Sequence, residues 1–379
     1  MMLACSRFWQ DVQQRGWIIA ISNSIDACGG RLWIGAISLF LAGCVLSIVL
    51  LLGLLGSSPQ LETAAPAGSR ILLLGGFHER GGQMDAIYEF DPATYATRLW
   101  SQRLATPRED HVAGVYGRRI IVAGGKLGRR DDGVEHWVAT NKVDLYDPNS
   151  GKFQPGPPMT WKRWWPSAAM IRNRFYVCAG RNELSAMLDT CEYFDFDADR
   201  WLEVGPRMPR SGRGMAVAAH NDRLYLMAGA GKGRVHANHM FCYDVAADRW
   251  ETLAPVPQRL FSATAVVYGG RDIVVCGGGL RRFNGGLNAD CFAFDLAARR
   301  WLPKQSAGRR PRRLRLARTN HAMVLFKDTR LFLFGGSIRR EAQRTIGTDT
   351  IEEYNATVGH FNVQAVLPVP MDDFPVVVY

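Results

Sequence analysis

The sequence predicts an all-β fold made of six repeats, preceded by a single membrane-spanning helix. Two observations carry this prediction. The first is a doubled small residue that recurs after a short apolar run, at Gly75-Gly76, Gly124-Gly125, Ala179-Gly180, Ala228-Gly229, Gly277-Gly278 and Gly335-Gly336. The second is an uncharged stretch near the N-terminus, residues 32–56. Short strands at a spacing of about 50 residues are typical of repeat proteins whose units pack side by side.

Each repeat also contains two aromatic residues. In five repeats they are seven positions apart, as Tyr146 and Phe153, Phe194 and Trp201, Tyr243 and Trp250, Phe294 and Trp301, and Tyr354 and Phe361. The first repeat is looser, with Phe90 and then Trp100. Asp or Asn follows the first aromatic of the pair, which predicts a hairpin turn there and the return of the chain on the next strand. We interpret these rings as core residues that fill the space between neighbouring sheets.

A glycine pair followed by spaced Tyr and Trp resembles the kelch repeat family, and the resemblance covers residues 70–379. It implies a six-bladed kelch-type β-propeller, with four-stranded blades around a central channel. The first repeat lacks its innermost strand, and the C-terminal residues 369–379 align without gaps on residues 106–116 of the second repeat. We therefore expect the C-terminal strand to complete the first blade and close the propeller.

The N-terminal region is predicted to anchor the protein in a membrane. Residues 32–56 carry no charged side chain and are long enough to cross a hydrocarbon core of about 30 Å as a helix. The apolar run is too long, and starts too late, for a cleaved signal peptide. The predicted organisation is a short tail at 1–31, a transmembrane helix at 32–56, a flexible linker at 57–69 and the propeller at 70–379.

Charges and cysteines give opposite indications about the compartment. Arg15 and Arg31 precede the span and Arg70 follows it, which favours a cytoplasmic N-terminus and an extracytoplasmic or lumenal propeller. Five cysteines lie in the repeats, namely Cys178, Cys191, Cys242, Cys276 and Cys291. Bridges from Cys178 to Cys191 and from Cys276 to Cys291 are possible. Buried free thiols are nevertheless the expected state, and they fit a reducing compartment.

The chain is basic, with a formal net charge of +11, so acidic partners are expected and no nucleic acid partner is predicted. One arginine precedes the innermost strand of each later repeat, at Arg108, Arg163, Arg210, Arg259 and Arg318. These five are predicted to ring one mouth of the channel. The first blade interrupts the ring with Met371, Asp372 and Asp373.

Four further residues near this mouth complete the predicted ligand-binding set, namely Trp164, Trp165, Arg213 and His321. Guanidinium groups bind carboxylates through two parallel hydrogen bonds, and flat aromatic faces stack on sugars or peptide groups. The alternative for the recurring arginines is a structural role, in which they donate to loop carbonyls. The kelch resemblance adds that this mouth binds peptides in related domains.

No catalytic motif of a known class is present: we find neither close metal-ligand spacing nor a nucleophile elbow or phosphate loop. The predicted function is therefore a membrane-anchored, non-catalytic binding module, without metal or cofactor, for an anionic protein, peptide or glycan. Two alternatives follow from the resemblance. One is a carbohydrate-active enzyme resembling bacterial sialic-acid epimerases, and the other is a kelch-like copper radical oxidase.

Overall fold

The computed structural model describes residues 69–79, 82–131, 134–231, 236–280, 286–304, 310–339 and 345–379. The predicted tail at 1–31, the transmembrane helix at 32–56 and the linker up to residue 68 lie outside the described residues. Within the described ranges there is no helix that is both long and apolar enough to cross a membrane. Those ranges consist of strands, turns and bends, which confirms the all-β class.

Twenty-nine strands are formed by the described residues. In chain order they are β1 Ile71–His78, β2 Gly82–Phe90, β3 Thr97–Arg103, β4 Val112–Tyr116, β5 Arg119–Ala123, β6 Lys126–Asp131, β7 Val134–Ala139, β8 Val143–Asp147, β9 Lys152–Pro155, β10 Ser167–Ile171, β11 Arg174–Cys178, β12 Cys191–Asp195, β13 Arg200–Glu203, β14 Ala216–His220, β15 Arg223–Met227, β16 Met240–Asp244, β17 Arg249–Leu253, β18 Thr264–Tyr268, β19 Asp272–Cys276, β20 Cys291–Asp295, β21 Arg300–Trp301, β22 Arg318–Thr319, β23 Ala322–Phe326, β24 Arg330–Phe334, β25 Ser337–Arg339, β26 Thr345–Gly347, β27 Thr350–Asn355, β28 His360–Val366 and β29 Val376–Val378.

Six antiparallel four-stranded sheets form the blades of the domain. From the innermost strand outwards, blade 1 is β29-β1-β2-β3, blade 2 is β4-β5-β8-β9, blade 3 is β10-β11-β12-β13, blade 4 is β14-β15-β16-β17, blade 5 is β18-β19-β20-β21 and blade 6 is β23-β24-β27-β28. The remaining strands make a small hairpin, β6-β7, and a three-stranded sheet, β22-β25-β26. Six repeats in the sequence therefore correspond to six blades.

The hydrophobic core lies between the blades. Six clusters of buried side chains each combine residues of two adjacent blades, from blades 1 and 2 round to blades 6 and 1. In blades 2 to 6 the predicted aromatic pairs are cross-strand neighbours at the outer edge of the blade, as in Phe194 opposite Trp201, whereas in blade 1 Phe90 lies opposite Thr97. The ring centroids of Phe194 and Trp201 lie 5.5 Å apart, close enough to pack together against the next sheet.

The doubled small residues directly follow the second strand in blades 2 to 6, and in blade 1 they lie within β1 at a register shift between Leu74 and Gly76. The first member of the pair adopts a positive φ in every blade, and alanine is tolerated there at Ala179 and Ala228. The second member is always glycine, because a Cβ at Gly125 would lie 2.6 Å from the Glu109 carbonyl oxygen. Close approach of the next segment of chain therefore fixes the second glycine, as the repeat pattern predicts.

The C-terminal residues form the innermost strand of blade 1. Strand β29 pairs antiparallel with β1, with Ile71 opposite Val378 and Leu73 opposite Val376. The amide of Arg70 also donates to the carbonyl of Tyr379 at 2.7 Å. The first and last residues of the propeller region thus share one sheet.

A ring of backbone hydrogen bonds surrounds the mouth of the channel. Its members are one residue with positive φ at the entry of each blade, namely Asp110, Trp165, Gly214, Ser262, Asn320 and Asp373. Each amide donates to the carbonyl of the residue before it in the ring, and the Asp110 amide donates to Asp373, all at 3.0–3.2 Å. The backbone itself therefore fixes the distance between the blades at this end.

Two disulfides are present, one from Cys178 to Cys191 and one from Cys276 to Cys291. The prediction of free thiols is wrong for these four residues, while Cys242 is a buried free cysteine. The reason is strand register: the cysteines of each pair lie directly opposite one another on the second and third strands of their blade. Neighbouring strands bring such positions close enough for a bridge.

Candidate functional site

Three of the five predicted ring arginines are structural. Arg108, Arg163 and Arg318 are fully buried, with 0% of each residue exposed. Arg163 Nη1 donates to the Ala179 carbonyl at 2.7 Å and to the Thr190 carbonyl at 3.1 Å. The predicted ligand role is therefore wrong for these three arginines, because their terminal guanidinium nitrogens donate to acceptors inside their own blades.

Each buried arginine forms an ion pair with one acidic residue of its own blade. The Nη2 atoms of Arg108 and Arg163 lie 3.0 Å from Asp144 and 2.8 Å from Glu192. Arg318 pairs in the same way with Glu352. Burial lowers the pKa of all three guanidinium groups, and the adjacent carboxylates oppose that shift. A buried charge needs such a partner, so each pair acts as a unit.

Arg210 and Arg259 differ from the other three in strand register. The second glycine of each doubled pair donates its amide to a backbone carbonyl of the next blade, and that carbonyl marks the arginine position. Gly125 donates in this way to the carbonyl of Arg163. Gly180 and Gly229, however, donate to the carbonyls of Gly212 and Leu260. Gly212 and Leu260 therefore occupy the buried position in blades 4 and 5. Arg210 and Arg259 lie one or two residues earlier, and both are exposed.

The sequence does contain a signal for this difference. The acidic partner always lies two residues before the first aromatic of the pair, at Asp144, Glu192 and Glu352. Blades 4 and 5 have Phe241 and Phe292 at the same register position. An arginine whose repeat lacks this acid has no carboxylate to pair with inside the blade.

The mouth beside blades 1 and 2 is acidic rather than basic. Lys126 Nζ lies 3.3 Å from Glu109 Oε1 and 3.1 Å from Asp110 Oδ2. Asp372 and Asp373 complete a group of four carboxyl groups around this one ammonium. Burial, reinforced by the neighbouring carboxylates, raises the pKa of Glu109 to about 7 and that of Asp372 to about 6. The interruption of the basic ring that the sequence predicts in blade 1 thus extends into blade 2 through Glu109 and Asp110.

The two tryptophans form a stack whose faces are already covered. The rings of Trp164 and Trp165 are 5.0 Å apart and nearly parallel, at 12°. The Arg181 guanidinium lies 5.2 Å from the centroid of Trp164, and the Arg213 guanidinium lies 4.1 Å from that of Trp165. Cations that cover a ring in this way stabilise the stack. Trp164, Trp165 and Arg213 therefore lie at the mouth, but they bind one another.

His321 lines the central channel rather than the mouth surface. Together with His111, Trp165 and Asp373 it borders a cavity of about 290 Å³ along the innermost strands. Its Nε2 lies 2.8 Å from Thr264 Oγ1. Burial lowers the pKa of both His321 and His111 to about 3, so both rings are neutral at physiological pH.

A second cavity, of about 350 Å³, lies in blade 4 at the same end of the propeller. Arg210 and Arg259 border it, together with His236, His239 and Phe241. Neither guanidinium has an acidic partner among the described residues, and Arg259 donates to the His236 carbonyl at 3.4 Å. No group of three or more His, Cys, Asp or Glu side chains in the described ranges is arranged to hold a metal ion.

Comparison with known proteins agrees with this architecture. A family model described as the KLHDC2/KLHL20/DRC7 Kelch-repeats domain matches residues 158–336. A second model, the Kelch motif, matches residues 107–160. The chain belongs to the kelch-repeat family. The resemblance in the glycine and aromatic spacing is thereby confirmed.

Individual kelch relatives are distant, and they are longer than this chain. Kelch-like protein 25 of Xenopus tropicalis is 25% identical over 244 residues, which is 62% of this chain and 38% of that protein. Kelch-like protein terF of Aspergillus terreus is 26% identical over 289 residues, covering 72% of this chain and 59% of that protein. Kelch-like protein 41a of Danio rerio is 29% identical over 158 residues, a quarter of its length. The chain thus spans less than two thirds of each of these relatives.

Among solved structures, that of YjhT aligns with a TM-score of 0.59 over 74% of this chain and 91% of its own. The sequence identity is 14%. At that identity the likeness concerns the fold alone.

Proposed function

We propose that this kelch domain is a binding module for an acidic protein or peptide, without catalysis, and that residues 32–56 hold it at a membrane. One observation carries the proposal. Arg210 and Arg259, both exposed and both without a carboxylate partner in the described chain, border one cavity at the mouth end of blade 4. The other three predicted ring arginines are neutralised internally, so positive potential is concentrated at this place.

The aromatic stack favours a peptide over a glycan. Sugars bind by stacking on open aromatic faces, but the outer faces of Trp164 and Trp165 are covered by Arg181 and Arg213. A carboxylate needs only the guanidinium donors that Arg210 and Arg259 present. The enzyme alternatives suggested by the family resemblance are supported by no described group of residues, and we do not propose them.

The disulfides support an extracytoplasmic or lumenal position of the propeller. Bridges such as those of Cys178 and Cys276 form and persist in oxidising compartments. Arg15 and Arg31, ahead of the apolar span, favour the same orientation. We therefore propose an acidic partner on that side of the membrane.

A peptide titration tests the proposal. A capped hexaglutamate peptide should bind the wild-type protein more tightly than the matching hexaglutamine peptide, and binding should weaken with salt. Replacing both Arg210 and Arg259 with alanine should weaken it by about tenfold for each lost charged hydrogen bond.

The matched control is Arg200→Ala with Arg249→Ala, which removes two exposed arginines from the outer strands of blades 3 and 4. Fluorescence anisotropy at two salt concentrations measures the peptide affinity of the wild-type protein and of both double variants. Equal affinity for the two peptides, or an equal loss in both double variants, would exclude the blade 4 arginines as the acidic-partner site.

A further inference from the structure

The buried arginines of blades 2, 3 and 6 define a slot that can be compared between blades. The slot has four positions: the arginine, the first small residue, the acid, and the residue two before the acid. In blade 3 these are Arg163, Ala179, Glu192 and Thr190, which are all joined by hydrogen bonds. We call this arrangement the guanidinium slot.

The register assigns the same four positions in blade 4 to Gly212, Ala228, Phe241 and His239. All four border the 350 Å³ cavity. The cavity is therefore the guanidinium slot of blade 4, opened because glycine stands where other blades have a long side chain. Gly212 and Ala228 contribute almost no side chain to the cavity, and the surface at the position of the acid is apolar because Phe241 replaces the acid.

The blades that lack this arginine fill the slot in other ways. In blade 5 it holds Leu260, fully buried beside Phe292, and Asn288 Nδ2 donates to the Gly277 carbonyl at 2.9 Å. In blade 1 it holds Met371, which is also fully buried. Blade 4 is thus the departure from a pattern in which the chain supplies its own occupant.

The charge around the open slot differs from that of the filled slots. None of the described residues that border the open slot is acidic, so this lining offers a cation no carboxylate partner. Arg210 and Arg259 stand at its rim instead. Burial lowers the pKa of His239, and the positive charges of Arg210 and Arg259 lower it further, which places both charges near the slot. The surroundings therefore match an anion with a small apolar body.

We propose that the open slot of blade 4 binds one carboxylate carried on a short chain. Arg210 and Arg259 hold the carboxylate at the rim, and the stem lies against Phe241 and Met215. This inference rests on the proposed function, and it adds the site and the size of the acidic group. The carboxylate belongs either to an acidic side chain of a peptide or to a free small organic acid.

Filling the slot without changing charge is the sharpest test. Gly212→Leu reproduces blade 5, where leucine lies beside phenylalanine. Its Cβ would approach Met215 Sδ at 3.1 Å, a flexible neighbour, and Gly212 has no positive φ. Gly205→Leu is the matched control, because it adds the same side chain at an exposed glycine whose Cβ would meet Asp248 Oδ2, also at 3.1 Å.

Two probes carry carboxylates: acetyl-Gly-Glu-Gly-amide has one and glutarate has two. The glutamine counterpart of the peptide carries none and serves as the neutral probe. Protein-observed NMR titration should show binding of the glutamate peptide or glutarate to wild type and to Gly205→Leu. Gly212→Leu should lose affinity about tenfold or more, although Arg210 and Arg259 remain. Tighter binding of the peptide than of glutarate would assign the carboxylate to a peptide, and the reverse would assign it to a free acid.

A variant that leaves the cavity open guards against misfolding of Gly212→Leu. Arg210→Gln with Arg259→Gln changes two exposed side chains and should also lose the carboxylate probes. Undiminished binding in a folded Gly212→Leu protein, or in the double glutamine variant, would overturn the slot inference. If the proposed function alone is correct, hexaglutamate binding should weaken in the double glutamine variant but not in Gly212→Leu. Failure of wild type to bind any carboxylate probe would overturn both.

Discussion

At the scale of single residues, arginines in similar sequence positions have two different roles. Arg163 lies 16 residues before its small pair and Arg210 lies 18 before, a small difference in the printed sequence. The structure turns that difference into full burial for one and exposure for the other. The acid at position 192, replaced by Phe241 in blade 4, decides the outcome, because a buried guanidinium needs a carboxylate.

Removing one member of a buried ion pair should therefore lower the stability of the domain more than replacing both members with apolar residues. Arg163→Ala leaves Glu192 buried without its cation and should lower the free energy of unfolding by about 3–5 kcal/mol. Arg163→Leu with Glu192→Phe copies the apolar pair Leu260 and Phe292 of blade 5 and should lose less. Urea unfolding monitored by fluorescence measures the free energy of unfolding of the single and the double variant.

Arg210→Ala is the control for this comparison, since an exposed arginine should change stability by no more than about 0.5 kcal/mol. Equal stability of Arg163→Ala and Arg210→Ala would show that the buried pair has no structural role.

At the scale of strands, the repeat pattern was sufficient to predict the blades, but not to predict which cysteine side chains are bonded across neighbouring strands. In blades 2 to 6 the doubled small residues and aromatic pairs place the second to fourth strands in register, as Phe194 and Trp201 show. The same pattern predicted which cysteines are on neighbouring strands, yet the bridged state was missed. Only the strand register shows that Cys178 lies directly opposite Cys191.

Strand β29 is the element whose removal should affect the whole domain. Deleting residues 375–379 exposes the edge of β1, which β29 covers through residues 71–73, and it removes the hydrogen bonds between Arg70 and Tyr379. We expect loss of cooperative thermal unfolding and a tendency to aggregate through the open edge. Differential scanning calorimetry measures the effect.

Val376→Thr with Val378→Thr is the control for the deletion. It keeps the backbone hydrogen bonds and the β-branched shape of β29, so cooperative unfolding should persist at a lower midpoint. A truncated protein with an unchanged melting temperature would contradict the role of β29 in closing blade 1.

At the scale of the whole molecule, net charge is a poor guide to the binding face. The formal charge is +11, but the mouth beside blades 1 and 2 carries Glu109, Asp110, Asp372 and Asp373 around Lys126. Three of the ring arginines are neutralised inside their blades. The positive potential available to a partner is therefore restricted to part of the mouth, and blade 4 holds the open cavity there.

The proposed orientation predicts how the full-length protein behaves in sealed vesicles. With the N-terminus cytoplasmic, the propeller should resist added protease until detergent is present. After denaturation without reductant, maleimide should label Cys242 but not the four bridged cysteines. Mass spectrometry of the labelled peptides gives the readout.

Digestion of the propeller in intact vesicles, together with labelling of Cys178 and Cys276, would place the domain on the reducing side instead. A protein that stays in the supernatant when its membranes are sedimented would contradict anchoring by residues 32–56.

The sequence by itself determined the class, the number of blades and the core, because these follow from local spacing: a glycine where backbones approach and aromatic pairs seven residues apart. It also located the arginines that border the mouth. Only the tertiary structure decided which of them are available. Burial and pairing depend on residues such as Glu192 and Phe241, some 30 positions further along the chain, and on a one- or two-residue difference in register that no local pattern records.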